Sequence, residues 1–511
     1  MFSFDMEFVS GFWFLLVGVV TLLLYFEWLV SKVSSQPPGP PNWPIVGSLF
    51  YLSDPIHCSL GELAKKYGPI MCLRLGYLNQ IVISNAEMAM EVLKIHDVDF
   101  ASRPLLIGAK HPSFDWNDII FTPYGDIWHL LRKIWATKLF TKTRLDHFEL
   151  GRREEVAYMV ENITTHCQEG KLVATKPIFL QLITNNICRM LFGKRHEQFD
   201  GFLRKNIVDF FNSISKIGVL VAKPNVSDLI PILKPFDLQG LERQLKFIRN
   251  EIESCLSNIF TEYRKGNKIV DDFTTTNFVE ILLNLEEKLE DQVIMGIIGD
   301  LTGAGVETTA STLEWALLEL IRQPDIMKKA QEEIDKVVGK NRPMLESDLP
   351  NLPYLQAIIK ENFRLHPAAP IAIPHLNNKN IIISNYNIPA NSIVIVNLWA
   401  IGRDPKVWNK PLEFDPYRFV DSDINVRGRH YGLLPFGSGR RQCPGLDIAQ
   451  LMVQYGLAVI LHAFDWSPQP GVKPKDMNVM EDINGFISTP VEPLVAIAKP
   501  RLPTQVYKGF I

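Results

Sequence analysis

The N-terminal region contains a run of residues that is too apolar and too long to form an ordinary surface helix. Residues 8–26 carry no charged side chain and consist mostly of Phe, Leu and Val. At 1.5 Å per residue, a helix of about 20 residues crosses the hydrocarbon core of a bilayer. The run exceeds the usual ~7–15-residue apolar region of a signal peptide, follows Asp5 and Glu7, and precedes no small-residue cleavage site. These features favour a retained transmembrane helix within residues 1–34.

A proline-rich segment separates this run from the rest of the chain. Residues 36–41 read Gln-Pro-Pro-Gly-Pro-Pro, and proline both fixes φ and lacks the N–H that a helix needs. Such a segment behaves as a stiff, extended spacer, so we predict a hinge over residues 35–47 and one large domain over residues 48–511. Lys32 follows the apolar run and no Lys or Arg precedes it, and the positive-inside rule therefore places the large domain in the cytosol.

Composition argues against several classes of protein. A net charge of −3 and a sequence pI near 6.4 give no electrostatic argument for nucleic-acid binding, which requires a basic face. Hydrophobic residues make up 47% of the chain and charged residues 21%, values typical of a folded protein rather than a disordered one. The six cysteines are scattered without a CxxC pair, which indicates reduced thiols facing the cytosol rather than a disulfide framework.

The periodicity of the large domain predicts a mainly helical fold with small β-sheets. Apolar positions recur at helical spacing in several long segments, and one of them changes from charged to apolar, as expected of a helix that enters the core. Short runs of β-branched residues indicate strands. The predicted helices span residues 284–321, 325–338, 354–365 and 447–461, and the predicted strands span residues 80–84, 381–384 and 393–397.

A glycine-rich loop around Cys443 carries the strongest chemical signal. Residues 435–445 read Pro-Phe-Gly-Ser-Gly-Arg-Arg-Gln-Cys-Pro-Gly. A dinucleotide-binding loop is excluded because no complete GxGxxG is present and no βαβ context surrounds it. An isolated buried cysteine is most often a small hydrophobic residue, but Arg440, Arg441 and a helix with Pro444 in its first turn favour a thiolate here. A thiolate is a ligand suited to an iron centre.

Five positions of this loop match a known pattern, because Phe436-x-x-Gly439-x-Arg441-x-Cys443-x-Gly445 resembles the haem-binding signature of the cytochrome P450 family. Four further segments resemble family motifs and occur in the family's order. They are Trp128 to Arg132 (WxxxR), Ala304 to Thr309, Glu361 to Arg364 (ExxR) and Pro416 to Phe419. The resemblance covers essentially the whole chain. It implies the cytochrome P450 fold, mainly α with small β-sheets, preceded by one N-terminal transmembrane helix, with residues 48–511 as the haem-binding catalytic domain.

The resemblance also implies a role for each matching residue at a haem b cofactor. Cys443 would be the axial ligand of the haem iron, in a loop shaped by Phe436 and Gly439. Arginine suits the haem propionates because its planar fork bonds both oxygens of a carboxylate. His375 departs from the arginine that is commoner in the family, although it can still donate a hydrogen bond. The candidate propionate partners are Trp128, Arg132, His375 and Arg441.

Glu307 and Thr308 match the family's oxygen-activating motif, and the resemblance implies that they relay protons beside the oxygen site. Without the resemblance, the same pair is better explained as polar groups satisfied by the helix backbone. Gly303 and Gly305 each cost about 1 kcal/mol in a helix interior. That cost is tolerable if these small residues open space for dioxygen beside the iron.

Glu361 and Arg364 lie three residues apart and therefore share one face of a helix. A pair of this kind on a protein surface contributes little to stability. The resemblance implies instead a buried network of both residues with Arg418 that holds the haem-facing loop. Substitution would then cause loss of haem rather than a small change in rate.

The implied activity is that of a monooxygenase that inserts one oxygen atom of O2 into a small hydrophobic substrate. Electrons would come from NADPH through a membrane-bound NADPH–cytochrome P450 reductase. The enzyme would be a single-pass protein of the endoplasmic reticulum membrane, in contact with the lipid bilayer and with no nucleic-acid partner. Residues 399–405 (Trp-Ala-Ile-Gly-Arg-Asp-Pro) and 414–416 (Phe-Asp-Pro) look like plant microsomal members, which include hydroxylases of phenolics, flavonoids and alkaloids.

The resemblance further implies a substrate cavity with an apolar and aromatic lining. Such a lining suits a planar hydrophobic substrate and suits a terpenoid equally well. The expected lining comes from segments 105–122, 297–308, 368–375 and 484–490, which contain Phe114, Trp116, Phe121, Ile371, Ile373 and Phe486.

Three alternatives remain open at the level of sequence. The same haem chemistry can end in oxidative coupling or ring rearrangement, without net hydroxylation. A haem-thiolate isomerase that does not use dioxygen is a second alternative, against which the Glu307–Thr308 pair argues. The third is a non-enzymatic, membrane-anchored interaction protein in which Cys443 is a core thiol, and it leaves the matching motifs unexplained.

Overall fold

The computed structural model describes residues 36–265, 277–503 and 505–508, together with the single residue Gly18. The predicted transmembrane run at residues 8–26 lies outside these ranges, apart from Gly18. Within the described residues the chain is mainly helical and carries four small β-sheets. The predicted class, mainly α with small β-sheets, is therefore confirmed.

The helices account for most of the described residues and are numbered here in chain order. Short π-helical turns, Glu91–Ile95 and Trp135–Leu139, extend the second and fourth of them. The α-helices are α1 (Ile56–Tyr67), α2 (Ala86–Met90), α3 (Ile107–Lys110), α4 (Asp126–Ile134), α5 (Lys142–His147), α6 (Glu149–Gln168), α7 (Thr175–Phe192), α8 (Gly201–Val221), α9 (Val226–Leu229), α10 (Leu241–Arg264), α11 (Phe278–Leu283), α12 (Asp291–Arg322), α13 (Pro324–Val338), α14 (Pro353–Leu365), α15 (Leu398–Gly402), α16 (Leu446–Ala463) and α17 (Gln505–Lys508).

The strands are short and lie in four sheets. They are β1 (Ile70–Leu75), β2 (Leu78–Ile83), β3 (Val173–Ala174), β4 (His375–Leu376), β5 (Ile381–Ile383), β6 (Tyr386–Ile388), β7 (Ile393–Val396), β8 (Phe464–Pro468), β9 (Glu481–Asn484), β10 (Ile487–Pro490) and β11 (Val495–Pro500). The largest sheet has the order β1-β2-β7-β4, in which β7 runs parallel to β2 and the other pairs are antiparallel. A second sheet has the order β3-β11-β8, while β5–β6 and β9–β10 form two hairpins.

Helix α12 is the central helix of the core. Asp291 in its first turn and Arg322 in its last complement the helix dipole, and Pro324 is suited to the first turn of the next helix, α13. Residues 309–321 of α12 are all buried, and the helix packs against α7, α14 and α16. A helix that is buried on every side belongs to the interior of a large domain. The first half of α12 is less enclosed because it borders a cavity.

Most predicted elements are confirmed with boundary shifts of one or two residues, including α13, α14 and α16 and strands β2, β5 and β7. The predicted start of the long helix at residue 284 is wrong. Asn284 ends α11, residues 285–290 form a turn in which Lys288 has a φ of 35°, and α12 begins only at Asp291. The charged stretch therefore joins two helices instead of extending one.

The proline-rich segment packs on the first sheet. The Cys72 amide donates to the carbonyl of Pro38 at 2.8 Å, and Gly47 pairs with Leu75 in an isolated bridge. A Cβ on Gly39 would lie 1.9 Å from the carbonyl oxygen of Cys72, so this close approach requires glycine. From Pro38 onward the segment is thus held against β1.

One helix among the described residues, α16, is long and apolar enough to cross a membrane by composition alone. Of its apolar window, 67% is buried inside the protein, and it packs against α12 and α13. Within this structure α16 is a core helix that follows the Cys443 loop.

Two glycines on α12 test how closely this helix approaches the segment before α4. A Cβ on Gly296 would lie 2.1 Å from the carbonyl oxygen of Asn117, whereas a Cβ on Gly299 would meet the Phe114 ring at an ordinary 3.6 Å. Alanine favours a helix over glycine by about 1 kcal/mol. Gly299→Ala should therefore leave the free energy of unfolding unchanged or raised, while Gly296→Ala should lower it by about 1–3 kcal/mol because the backbone must move.

Chemical denaturation of both variants measures this difference. Equal stability of Gly296→Ala and Gly299→Ala would contradict the close backbone contact between α12 and Asn117.

Candidate active site

The Cys443 loop folds back on itself before α16. Its Gly439–Arg441 stretch forms a single 3-10 turn, and the Cys443 amide donates to the carbonyl of Phe436 at 3.0 Å. The Phe436 ring packs edge-on against Phe363 of α14, with ring centroids 5.3 Å apart. The predicted position of Pro444 in the first helical turn is wrong, because Gly445 is the N-cap and α16 begins at Leu446. The loop thus presents Cys443 just before the helix, not within it.

The backbone conformation and close packing at position 439 require glycine. Its φ is +67°, a region that favours glycine, and a Cβ would lie 2.4 Å from the carbonyl oxygen of Leu93 and 2.6 Å from an Asp97 carboxylate oxygen. The neighbouring Arg440 amide donates to the same Asp97 carboxylate at 3.1 Å. Gly439 therefore allows the loop to dock tightly on the turn that follows α2.

A cavity of about 710 Å³ is bounded by the Cys443 loop and the first half of α12. Four of the six predicted lining residues border it: Phe114, Phe121, Ile373 and Phe486. Trp116 and Ile371 do not, and the prediction was wrong for these two. Ile371 instead packs against a separate core cluster under the first sheet. The sequence also missed a wall formed by α7 and α8, which includes Ile187, Phe211 and Ile214.

Glu307 and Thr308 both border this cavity. The Thr308 hydroxyl donates to the carbonyl of Ala304 at 2.6 Å, and that of Thr309 donates to Gly305 at 2.9 Å. Both threonines therefore make the backbone hydrogen bond that a purely structural role would predict. They differ in exposure, since Thr309 is buried while Thr308 is partly open to the cavity.

Gly303 and Gly305 of α12 face neighbouring helices. A Cβ on Gly305 would lie 2.8 Å from the end of the Ile187 side chain on α7, and one on Gly303 would lie 3.6 Å from Ile214 on α8. Gly305 thus makes room for a helix contact, while Gly303 leaves more free space at the cavity wall.

Three of the predicted propionate partners meet beside the cavity. The Arg441 guanidinium lies 4.8 Å from the centre of the Trp128 ring and donates to the carbonyls of Ala101 and Thr122, each at 2.6 Å. Arg132 donates to the carbonyl of Gln442 at 2.7 Å. The indole Nε1 of Trp128 is buried and has no hydrogen-bond partner among the described residues. A buried donor of this kind is available to an acceptor on a bound group.

His375 also borders the cavity, and one of its ring nitrogens is hydrogen-bonded to the backbone. Its Nδ1 lies 2.8 Å from the carbonyl of Phe100, which can only accept, so Nδ1 carries the hydrogen. Burial and the nearby Arg103 lower the pKa of His375 to about 3. The ring is therefore neutral, and its Nε2 can donate to a carboxylate only after gaining a second proton.

Glu361 and Arg364 are both completely buried and form a two-pronged ion pair, with N–O distances of 2.7 Å on each side. Arg418 donates to the same carboxylate at 3.2 Å. The remaining Arg364 hydrogens bond the carbonyls of Gly402, Pro411 and Glu413. The three side chains thus meet in one cluster that ties α14 and α15 to residues 411–418.

Comparison with known proteins agrees with this geometry. The family description "Cytochrome P450" matches residues 37–496. A flavonoid 3′-monooxygenase from Arabidopsis thaliana is 38% identical to this chain, over 93% of the chain and 94% of the relative. A flavonoid 3′,5′-hydroxylase from Solanum melongena is 37% identical, over 97% and 98% respectively. The chain belongs to the cytochrome P450 family.

The fold of this P450 is shared with a solved structure as well. A solved structure of a zebrafish cytochrome P450 with progesterone matches with a TM-score of 0.72 at 25% identity, over 87% of this chain and 99% of that chain. This P450 is accordingly a monooxygenase, an oxidoreductase that uses haem and receives electrons from a redox partner.

The cavity has the chemistry that a haem requires. The cavity is lined by the Cys443 thiol, by the cationic side chains of Arg132 and Arg441, and by Trp128, whose indole N–H has no hydrogen-bond partner among the described residues. Burial raises the pKa of the Cys443 thiol, while the Gly445 amide and Arg132 lower it. The sequence predicted that the flanking arginines would favour a thiolate by lowering this pKa. Burial outweighs such an effect, and Arg441 donates instead to backbone carbonyls. A bound metal ion deprotonates its thiol ligand, so the thiolate of this P450 would arise on binding.

Sequence patterns missed three buried charged residues at the cavity. Arg103 donates to the carbonyls of Ile120, Ile373 and Pro374. Asp118 and Asp300 lie nearby and border the same cavity. Asp300 lies eight residues before Thr308, a spacing that puts both near one helix face and could have marked it. The sequence carries no comparable signal for Arg103 or Asp118.

Removal of the Arg364 side chain tests how much the buried ion pair contributes to the stability of this P450. Arg364→Ala leaves the Glu361 carboxylate buried and loses three carbonyl contacts, so the free energy of unfolding should fall by about 3–5 kcal/mol. The exposed pair of Lys65 and Glu62, with the same spacing and a 2.6 Å contact, provides the control. Lys65→Ala should change stability very little.

Denaturant unfolding of the two variants measures the contrast. A small loss for Arg364→Ala, comparable to that for Lys65→Ala, would contradict a structural role for the buried cluster.

Proposed function

We propose that this P450 is a membrane-anchored monooxygenase that hydroxylates a flavonoid or a related hydrophobic plant metabolite, with Cys443 as the axial ligand of haem b. The observation that carries the proposal is a single cavity bordered by Cys443, by the Glu307–Thr308 pair and by an aromatic wall. Flavonoid hydroxylases among the relatives match nearly the full length of the chain.

The haem would be held by the Cys443 loop and its neighbours. Cys443 would bind the iron, with Phe436 at the cavity and Gly439 allowing the loop to dock. The orphaned Trp128 Nε1 and the guanidinium groups of Arg132 and Arg441 suit the carboxylates of the propionates. His375 would contribute once a propionate supplies the negative charge that favours its second proton.

The side chains of this chain would position the substrate and move protons. When bound, the haem supplies dioxygen activation and transfer of one oxygen atom, with electrons from NADPH through a reductase. Thr308 would donate and accept a proton at Oγ1, with Glu307 as its neighbouring acid. Phe114 and Phe121 would pack against the substrate and exclude water from the cavity. The Glu361–Arg364–Arg418 cluster would hold the segment before the Cys443 loop in place.

A flavonoid fits the lining of the cavity. The lining is largely apolar and aromatic, and such pockets bury flat hydrophobic ligands while a few polar groups orient them. The polar groups available include Asn212 and Ser215 on α8, along with Glu307 and Thr308. They could receive the hydroxyl groups of a phenolic substrate.

An exposed apolar surface supports membrane attachment. It consists of Trp43, Ile45, Phe50 and Tyr77 near the start of the described chain and Ile232 and Phe236 after α9. The two parts are adjacent because the Tyr77 amide donates to the carbonyl of Leu229 at 2.8 Å. A large apolar surface of this kind marks a membrane or protein contact.

The predicted anchor at residues 1–34 would bring this apolar surface to the endoplasmic reticulum membrane, with the domain at residues 48–511 in the cytosol. The predicted hinge at residues 35–47 is packed on β1 from Pro38, so any pivot would lie before Pro38.

A basic surface near Cys443 supports docking of an NADPH–cytochrome P450 reductase. Lys133, Lys138 and Lys142 are exposed, and Phe140 between them lies against Gly445 of the Cys443 loop. A partner with an acidic docking face would be steered to this surface.

Product mass decides between the proposed reaction and its alternatives. Membranes containing this P450 and a reductase should convert a flavonoid that lacks a 3′-hydroxyl into a product heavier by one oxygen atom, only with NADPH. A product lighter by two hydrogens would indicate coupling or ring closure. Conversion at unchanged mass without NADPH would indicate an isomerase, and a folded protein that converts no flavonoid would contradict the proposed substrate class.

Two adjacent threonines provide a matched test of proton delivery. Thr308→Ala should keep NADPH consumption but lower the product formed per NADPH by roughly tenfold or more, because the proton donor is lost. Thr309→Ala removes the same type of backbone hydrogen bond from a buried position and should retain coupling.

The ratio of product to consumed NADPH measures both variants. A coupling ratio for Thr308→Ala equal to that for Thr309→Ala would contradict the assigned role.

A further inference from the structure

Two carboxylic acids that no proposed role includes face each other at the wall of the cavity. Asp118 belongs to the segment between α3 and α4, and Asp300 lies on α12, about two turns before Thr308. Their exposed fractions are only 1% and 7%. Both border the cavity that holds Cys443. Acidic groups are rarely buried in this way without partners that satisfy them.

A count of hydrogen bonds leaves one oxygen of Asp118 without an N–H or O–H donor. Its Oδ1 accepts from the amides of Phe121 and Thr122, each at 2.9 Å, while the Thr122 hydroxyl donates to the carbonyl of Trp116 at 2.7 Å. Its Oδ2 is buried and receives no such donor. The Asp300 carboxyl accepts from the Ile119 amide at 2.7 Å and lies within hydrogen-bonding reach of Asp118.

Two buried carboxyl groups in contact cannot both be ionised without strong repulsion. If one of them keeps its proton, the proton supplies the donor that Asp118 Oδ2 lacks. Burial raises the pKa of both groups, and the neighbouring Asp118 charge raises the pKa of Asp300 further. Like-charge pairs of this kind titrate as a unit that holds a single proton over a wide pH range.

We infer that Asp118 and Asp300 share one proton, and that the resulting hydrogen bond fastens residues 118–122 to α12 and so positions Phe121 at the cavity wall. This inference deepens the proposed function, on which the role in substrate positioning rests. Both aspartates act here as positioning residues, since Phe121 and not the acids would contact the substrate.

The same segment is also held by two arginines. Arg441, from the Cys443 loop, donates to the carbonyls of Ile119 and Thr122, and Arg103 donates to that of Ile120. The segment therefore bridges the Cys443 loop and α12. A change in its position would move the cavity wall relative to Thr308.

These arginines are also the charges that face the acid pair. Arg441 lowers the pKa of Asp118, and Arg103 lies near Asp118 as well. His375 is next to Arg103 but is neutral. Burial opposes the effect of the arginines and is the larger of the two, since the pKa of Asp118 is raised overall.

The shared proton makes the attachment of the segment to α12 depend on pH. Because the folded pKa of Asp300 is raised, its contribution to stability is complete below the ordinary carboxyl pKa and is lost as the pH rises through the folded pKa. Above that point two anions repel each other, and the hydrogen bond between Asp118 and Asp300 is lost, while the Ile119 amide can still donate to Asp300. An asparagine at position 300 would donate a hydrogen at every pH.

Infrared spectroscopy of the full-length holoenzyme tests the shared proton directly. At neutral pH the wild type should show the carbonyl stretch of a buried protonated acid, and Asp300→Asn should lose it. Asp348→Asn provides the control, because Asp348 is buried and accepts a backbone amide but is paired with Arg342. That control should retain the band, and absence of any band that Asp300→Asn removes would overturn the inference.

Hydrogen exchange tests the positioning of the segment. Protection of the peptide spanning residues 111–125, corrected for the intrinsic rate, should fall roughly tenfold or more at alkaline pH in the wild type and stay constant in Asp300→Asn. Asp300→Ala should lose protection at every pH. An alkaline loss in Asp300→Asn equal to that in the wild type would overturn the inference.

Neither measurement depends on turnover. If the band and the exchange pattern are found but no flavonoid is converted, only the proposed function fails. If flavonoids are hydroxylated but the wild type shows no protonated acid, only the shared proton fails.

Discussion

The buried ion pair of Glu361 and Arg364 connects the core of this P450 to its Cys443 side. Both residues lie on α14, completely buried, where an unpaired charge would be strongly destabilising. Arg364 uses its remaining hydrogens on the carbonyls of Gly402, Pro411 and Glu413. This arrangement ties the end of α15 and the irregular segment at residues 411–413 to α14. The irregular segment leading to the Cys443 loop thereby acquires a defined path.

The second constraint is the dual character of α12. Its C-terminal half is buried on all sides and stacks Trp315 on His366 with ring centroids 4.1 Å apart. The part of α12 before Thr309 borders the cavity and carries polar residues, among them Asp300 and Thr308. A rigid, deeply packed half can hold reactive groups of the other half at fixed positions, which is what catalysis by positioned side chains requires.

Much of the fold could be predicted from the sequence because it depends on local patterns. The apolar periodicity located α13, α14 and α16, and the ExxR spacing located Glu361 and Arg364 on one helix face. The start of α12 was missed because the charged residues 285–290 have helical composition but form a turn. A pattern of charges does not distinguish these two conformations.

The candidate site was predictable only where the chain carries compact motifs. Cys443 and its loop, the Glu307–Thr308 pair and the WxxxR segment are such motifs, and they border one cavity. The wall formed by α7 and α8 and the Asp118–Asp300 contact bring together residues far apart in the chain. Neither leaves a periodic signal, because each residue is an ordinary member of its own segment. The direction of the Arg441 side chain likewise depends on the carbonyls of Ala101 and Thr122, which lie far from it in the chain.

The carbon monoxide difference spectrum of the reduced protein tests the central claim, that Cys443 is the thiolate ligand of the haem iron. The wild type should show a strongly red-shifted Soret band, and Cys443→Ala should lack it. Cys255→Ala, which removes another buried thiol on α10, should keep the band. A folded wild type without the band, or a Cys443→Ala variant that retains it, would contradict the account.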